Sequence, residues 1–187
     1  MDILCVGDSL TYGYNVPVTQ NWLTVAAAET GHTLKNYGMC GDTTVGMKAR
    51  LTGLLPTAAE DAVFLMGGTN DLIMGITVLS VWKTLQSMAV MVRQAHKRVL
   101  WGVPPLTMAA SVLSGWQSVT QVEKTNGAII ALRRHILIEA KQQQELYLDC
   151  YETLQGRPML YEDGLHPNRE GYASIGKAAG MAWKFLK

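Results

Sequence analysis

Five short apolar runs punctuate the chain: Ile3 to Val6, Leu34 to Met39, Ala62 to Met66, Val99 to Val103 and Leu146 to Leu148. Each gives way to small or polar residues, the pattern of a short buried strand. Helical spacing fills the intervals, over about Asn21 to Thr30, Thr44 to Leu54, Ile76 to His96, Trp116 to Gln143 and Asn168 to Leu186. In the fourth of these, Val119, Val122, Ile129, Leu132, Ile136 and Ala140 recur at steps of three, four and seven, the stripe of a helix packed on a sheet. Strands that alternate with helices predict an α/β fold, with a mainly parallel sheet covered by helices on both faces. No repeat, low-complexity tract or Pro/Ser-rich linker interrupts the pattern, so residues 1–187 read as one domain. The least defined stretch is Pro104 to Gly115, a loop after the fourth strand rich in small and apolar residues.

Composition narrows the possible partners. The chain is 48% hydrophobic and 17% charged with a formal net charge of +1, which leaves no general attraction to nucleic acid or to anionic lipid. A small molecule is the expected partner, and no run approaches the roughly 18 apolar residues of a membrane span. Three cysteines, Cys5, Cys40 and Cys150, make an odd set without CxxC spacing; they predict reduced, mostly buried thiols and neither a disulfide framework nor a zinc site. The opening Met1-Asp2-Ile3-Leu4-Cys5-Val6 lacks a basic region and a long apolar segment, which predicts a cytoplasmic protein.

In parallel α/β sheets, ligands bind beyond the carboxyl ends of the strands, and the residues there have the composition of a reactive site. The first strand runs into Gly7-Asp8-Ser9-Leu10-Thr11. A serine hydroxyl is a weak nucleophile that needs a base, and the base needs a group that fixes its tautomer. The tail segment Asp163-Gly164-Leu165-His166-Pro167-Asn168 offers both, because a carboxylate three residues before an imidazole can meet it within one turn of chain. Asn168 is a candidate cap for the last helix, with Glu170 in its first turn. An acyl-transfer site also needs donors for the oxyanion. The loops Gly38-Met39-Cys40-Gly41-Asp42-Thr43 and Gly67-Gly68-Thr69-Asn70-Asp71 supply backbone N–H groups beside glycine and the side-chain amide of Asn70, in addition to the Ser9 N–H.

These blocks resemble the SGNH hydrolase superfamily, also called GDSL esterases/lipases, whose hallmark residues are Ser, Gly, Asn and His in four separate blocks. Here they match as Gly7-Asp8-Ser9-Leu10, Gly41-Asp42-Thr43, Gly68-Thr69-Asn70-Asp71 and Asp163-Gly164-Leu165-His166-Pro167, in family order and across nearly the whole chain. The resemblance implies a flavodoxin-like three-layer α/β/α sandwich with a five-stranded sheet. It also implies a serine acyl-ester hydrolase without a cofactor or metal, in which Ser9 is the nucleophile, His166 the base and Asp163 its support. The Ser9 and Gly41 amides and the Asn70 side chain would form the oxyanion hole. Gly38 lies close to Gly41, but the Asp-Thr pair that follows favours Gly41. The GxSxG elbow of the ordinary α/β-hydrolases is absent. Expected substrates are carboxylic esters or thioesters of modest acyl chain length. The alternatives are a carbohydrate O-acetylesterase and a non-catalytic module that binds acylated ligands.

Neighbouring residues read more plainly. Asp8 and Asp71 are expected to bind nearby backbone N–H groups, and His32, His96 and His135 to lie exposed on the surface, without partners at metal-ligand spacing. Cys40 is expected to be a buried, inert thiol. A residue within Leu72 to Ile76 is the candidate contact for an acyl group, and the loop from Leu106 to Trp116 together with some of the ten methionines could line its pocket.

Overall fold

The side chains of the three central strands alternate between two cores, and this sets the architecture of the computed structural model, which describes residues 1–186. Strand β1 (Asp2–Gly7) sends Ile3 and Cys5 to one face and Leu4 and Val6 to the other. Strand β3 (Ala62–Met66) does the same with Phe64 and Met66 against Val63 and Leu65, and β4 (Arg98–Val103) with Leu100 against Val99, Trp101 and Val103. Strands buried on both faces need uninterrupted apolar runs, which is why these three were so legible. The edge strands β2 (Thr33–Gly38) and β5 (Leu146–Asp149) are largely exposed. All five strands pair in parallel in the order β2-β1-β3-β4-β5, the flavodoxin-like doubly wound order.

Helices α2 (Trp22–Thr30) and α9 (Arg169–Trp183) cover one face, with α8 (Cys150–Leu154) beside them. Trp22, Phe64 and Trp183 meet edge to face there, with ring centroids 5.2–6.1 Å apart. Helices α3 (Thr44–Leu54), α5 (Val78–Gln94) and α7 (Val119–Gln143) cover the other face and bury Met47, Leu85 and Leu132 against the sheet. The result is the expected three-layer α/β/α sandwich.

Capping explains where the helices depart from their sequence bounds. Thr77 is extended and its hydroxyl accepts from the Ser80 N–H, so α5 starts at Val78 rather than Ile76. Ser118 and Gln121 form a capping box that starts α7 at Val119, three residues after the expected Trp116. Asn21 and Asn168 lie outside α2 and α9 as their caps. Four short helices had no signal in the sequence pattern: α1 (Ser9–Tyr12), α4 (Thr69–Ile73), α6 (Ala110–Leu113) and α8. None is long enough to show a 3.6-residue period. Among the described residues no helix is long and apolar enough to cross a membrane.

Candidate active site

Each of the four blocks lies at the carboxyl edge of the sheet, on its own loop or short helix. The Asp8 side chain accepts the Leu10 N–H at 2.9 Å and caps α1. Ser9 is thereby the first helical residue, with its N–H in the turn where no intrahelical acceptor exists. Asp8 itself is fully buried and its second oxygen has no partner. Burial, with the nearby charges of Asp71 and Asp42, pushes its carboxyl up to about 7 against the opposing Leu10 hydrogen bond.

Asp163 and His166 share a closed turn. An isolated antiparallel bridge between Tyr161 and Pro167 closes it, together with hydrogen bonds from Glu162 N to His166 O and from Asn168 N to Leu160 O, both 2.9 Å. Gly164 in this turn has φ +81, and a Cβ there would run into Ser111 and Ala110 of the α6 segment, so only glycine fits. Asp163 Oδ1 accepts the Leu165 and His166 backbone N–H groups at 2.9 and 2.7 Å, and Oδ2 lies 2.8 Å from His166 Nδ1. Burial alone would raise this carboxyl, but the hydrogen bonds from His166 and Leu165 and the charge attraction of His166 outweigh it and hold the group well below the ordinary carboxylate range. An ionised Asp163 only accepts, so the proton of a neutral His166 is on Nδ1 and the Nε2 lone pair faces outward. Nε2 lies 2.9 Å from Ser9 Oγ. The structure thus brings together Ser9 and His166, which are 157 residues apart, in a relay of the kind that activates a hydroxyl.

The two donor loops are joined to each other. The Gly38 N–H is spent on Asn36 Oδ1 at 2.9 Å, and its Cα packs against the Tyr12 backbone. Gly41 differs: it has φ +76, open space where a Cβ would point, and an N–H that meets no acceptor among the described residues. Asn70 Nδ2 donates to the Asp42 carbonyl at 2.8 Å, which occupies one of its two protons and leaves the other. Asp71 holds Thr44 N at 2.9 Å and Thr44 Oγ1 at 2.7 Å, clamping α4 to the start of α3.

Two residues of this region have roles that the sequence reading did not find. Arg50 on α3 grips Asp42 Oδ2 through Nε and Nη2 at 2.8 and 2.6 Å, and its remaining donors reach the Tyr37 and Gly7 carbonyls. It ties the ends of β1 and β2 to the Gly41-Asp42 turn. Trp116 donates its indole N–H to Asp163 Oδ2 at 2.8 Å. Only the fold sets these pairings, although an arginine eight residues after an aspartate offered a weak hint for the first.

Other expectations are corrected. Cys40 is exposed rather than buried, because the turn after β2 stands out from the sheet edge; desolvation and the Asp8 charge still push its thiol up. Of the histidines, His96 is exposed, but His32 and His135 are half-buried. His135 stacks on Trp82 with planes 15° apart, and His32 Nε2 approaches the Trp183 carbonyl at 3.3 Å. Leu72 belongs to the core, which leaves Met74 and Ile76, at 66% and 45% exposure, as the accessible apolar residues after Asn70.

The chain is also similar to known proteins. A model described as the GDSL-like Lipase/Acylhydrolase family matches residues 5–174. The chain is similar to a Pseudomonas aeruginosa protein named Esterase TesA, at 26% identity over 170 residues, which cover 88% of this chain and 79% of that protein. It is also similar to an Arylesterase of Vibrio mimicus, at 32% identity over 111 residues, or 55% of this chain and 56% of that one. The crystal structure of a member of the lipolytic protein G-D-S-L family from Veillonella parvula superposes with a TM-score of 0.85 at 27% identity, over 100% of both chains.

Proposed function

We propose, from the premise that the chain belongs to the GDSL-like lipase/acylhydrolase family and is a carboxylic ester hydrolase, that Ser9, His166 and Asp163 carry out its reaction on esters or thioesters of modest acyl chain length. The observation that carries this reading is the unbroken relay from Ser9 Oγ to His166 Nε2 at 2.9 Å and from Nδ1 to Asp163 Oδ2 at 2.8 Å.

In the first half of the cycle, His166 Nε2 takes the Ser9 proton as Oγ attacks the acyl carbonyl. The oxyanion is held by the Ser9 and Gly41 N–H groups and by the free Asn70 amide proton. His166 then returns the proton to the departing alkoxide or thiolate, and Asp163 balances the imidazolium charge in between. In the second half a water molecule gives a proton to His166 and attacks the acyl carbonyl; the bond to Ser9 Oγ then breaks, His166 returns the proton to Oγ, and the carboxylic acid is released. The acyl chain lies over Met74 and Ile76, whose exposed apolar surface beside Asn70 supports a short, open acyl site.

Hydrolysis of p-nitrophenyl esters from acetate to palmitate by the wild type and by Ser9→Ala tests both parts. The expected outcome is turnover of the shorter esters that vanishes in the variant while the fold stays intact. Undiminished activity in Ser9→Ala would remove the serine mechanism, and a profile that peaks at palmitate would remove the modest chain length.

A further inference from the structure

Asp163 accepts two hydrogen bonds on each carboxylate oxygen, and three of these four come from Leu165 and His166, within its own turn. The fourth comes from Trp116, 47 residues away in sequence. A turn held only by its own backbone can rotate as a unit, carrying acid and base together away from Ser9. A donor from a separate segment fixes it in space.

That separate segment is itself anchored. Met108 N donates to the Gly164 carbonyl at 2.6 Å, the Tyr161 hydroxyl to the Leu106 carbonyl at 2.8 Å, and Trp116 N to the Ser111 carbonyl at 2.9 Å. Gln117 Nε2 lies 3.2 Å from Ser111 Oγ. Residues 106–117 are therefore fastened to the Tyr161–Gly164 stretch before α6 and closed on Ser111 after it, and they are tied to α7 as well, where Thr107 N and Oγ1 donate to Asn126 Oδ1 at 2.8 and 3.0 Å and Asn126 Nδ2 donates to the Thr107 carbonyl at 2.8 Å. The indole also stands edge-on to the His166 ring at 5.2 Å, and Tyr14 flanks the same imidazole at 4.5 Å.

We propose that Trp116 is a positioning residue for the Asp163–His166 pair, acting through its indole N–H on Asp163 Oδ2. This rests on the reading of Ser9, His166 and Asp163 as the hydrolytic relay. Trp116 touches no reacting atom; it sets the direction of the carboxylate and, through it, the tautomer and aim of His166. It also withdraws charge from Oδ2, so the Nδ1 proton of His166 meets a less basic oxygen than it otherwise would.

Two replacements at position 116 separate the N–H from the ring. Trp116→Phe keeps an aromatic edge without a donor, and β-(3-benzothienyl)alanine keeps the bicyclic shape without the N–H. In both, kcat for a p-nitrophenyl ester should fall roughly tenfold with KM changed by less than about twofold, the split expected when orientation rather than binding is lost. The low-field proton resonance of His166 Nδ1 should move further downfield or broaden in both. A resonance unchanged in position and width, or wild-type kcat in the benzothienyl protein, would overturn the proposal. The resonance is read without turnover. If wild type and Ser9→Ala do not differ on any ester, the hydrolytic reading fails while the spectrum still decides whether Trp116 positions the pair.

Discussion

The carboxamide nitrogen of Asn70 lies 2.8 Å from the main-chain oxygen of Asp42, joining the loop after β3 to the loop after β2. One proton of that amide is committed to the scaffold, and this fixes the direction of the other. Preorganised donors of this kind need no reorientation as negative charge develops. Asn70→Ala should therefore lower kcat/KM by about 10²–10³, or roughly 2.7–4 kcal/mol of transition-state stabilisation, and cost about 1 kcal/mol of folding stability for the lost tie. Steady-state kinetics on a short p-nitrophenyl ester, with a urea melt of the same preparation, checks both. Unchanged kcat/KM would exclude Asn70 from the oxyanion site.

Arg50 makes the corresponding tie on the other side of Asp42. Its planar fork holds one carboxylate oxygen through two nitrogens and still reaches the carbonyls at the ends of β1 and β2. A lysine keeps the charge but cannot span these acceptors. Arg50→Lys should lose about 1–2 kcal/mol of stability, the partial exposure of the pair limiting the loss. It should also lower kcat/KM by about 3- to 10-fold through looser placement of Gly41. Arg50→Met should be worse on both counts, since it leaves Asp42 half-buried without a counter-charge. An Arg50→Lys protein as active and as stable as wild type would show that the Gly41-Asp42 turn holds its shape unaided.

The Asp163 carboxyl is held below its ordinary value in the folded protein, the hydrogen bonds of His166 and Leu165 overcoming the upward push of burial. The stability it contributes is thus present above the unfolded-chain value of about 3.9 and disappears as pH falls through the lower folded value. Asp163→Asn places an amide among donors on both sides. At pH 7 it should cost about 1–3 kcal/mol, and its difference from wild type should shrink as the pH is lowered below about 4. Activity should drop by about 10³–10⁴, because the His166 tautomer is no longer fixed. Denaturant melts at pH 7, 5 and 3 read the first effect, and a gap that widens toward low pH would contradict it.

How far the sequence could be read depended on burial. Strands β1, β3 and β4 are enclosed on both faces, so nearly every residue had to be apolar, and helix α3 ran over Thr44–Leu54 as its spacing implied. Helices α1 and α4 were illegible because four or five residues carry no period. Ser9, Asn70, Asp163 and His166 could be selected since each follows a strand or lies in the segment just before the last helix. Gly38 and Gly41 were separated in the sequence only by the Asp-Thr pair that follows Gly41; in three dimensions the Asn36 hydrogen bond and the positive φ also distinguish them. Arg50 and Trp116 act on Asp42 and Asp163 from other elements, and no spacing rule links an indole to a carboxylate 47 residues away.

Asp8, next to Ser9, gives the opposite pH signature to Asp163. Burial raises its folded-state carboxyl to about 7, above the unfolded value, so the folded protein binds this proton more tightly than the unfolded chain does. Its contribution is fully present below about pH 4 and is lost as pH rises through about 7, where a charge must be accommodated with one oxygen unpartnered. Asn is close in shape to the protonated acid and can still accept the Leu10 N–H through its oxygen, so α1 keeps its cap. Asp8→Asn should therefore match wild type below about pH 4 and exceed it at pH 8 by about 2–4 kcal/mol, a range set by a shift of about three pH units at 1.36 kcal/mol each, discounted for relaxation around the charge. Urea melts of both proteins at pH 4, 6 and 8 measure this directly. Parallel stability curves across that range would mean that Asp8 is already ionised and solvated by a partner not seen here, whereas curves that diverge upward with pH identify it as a stability cost located beside the nucleophile.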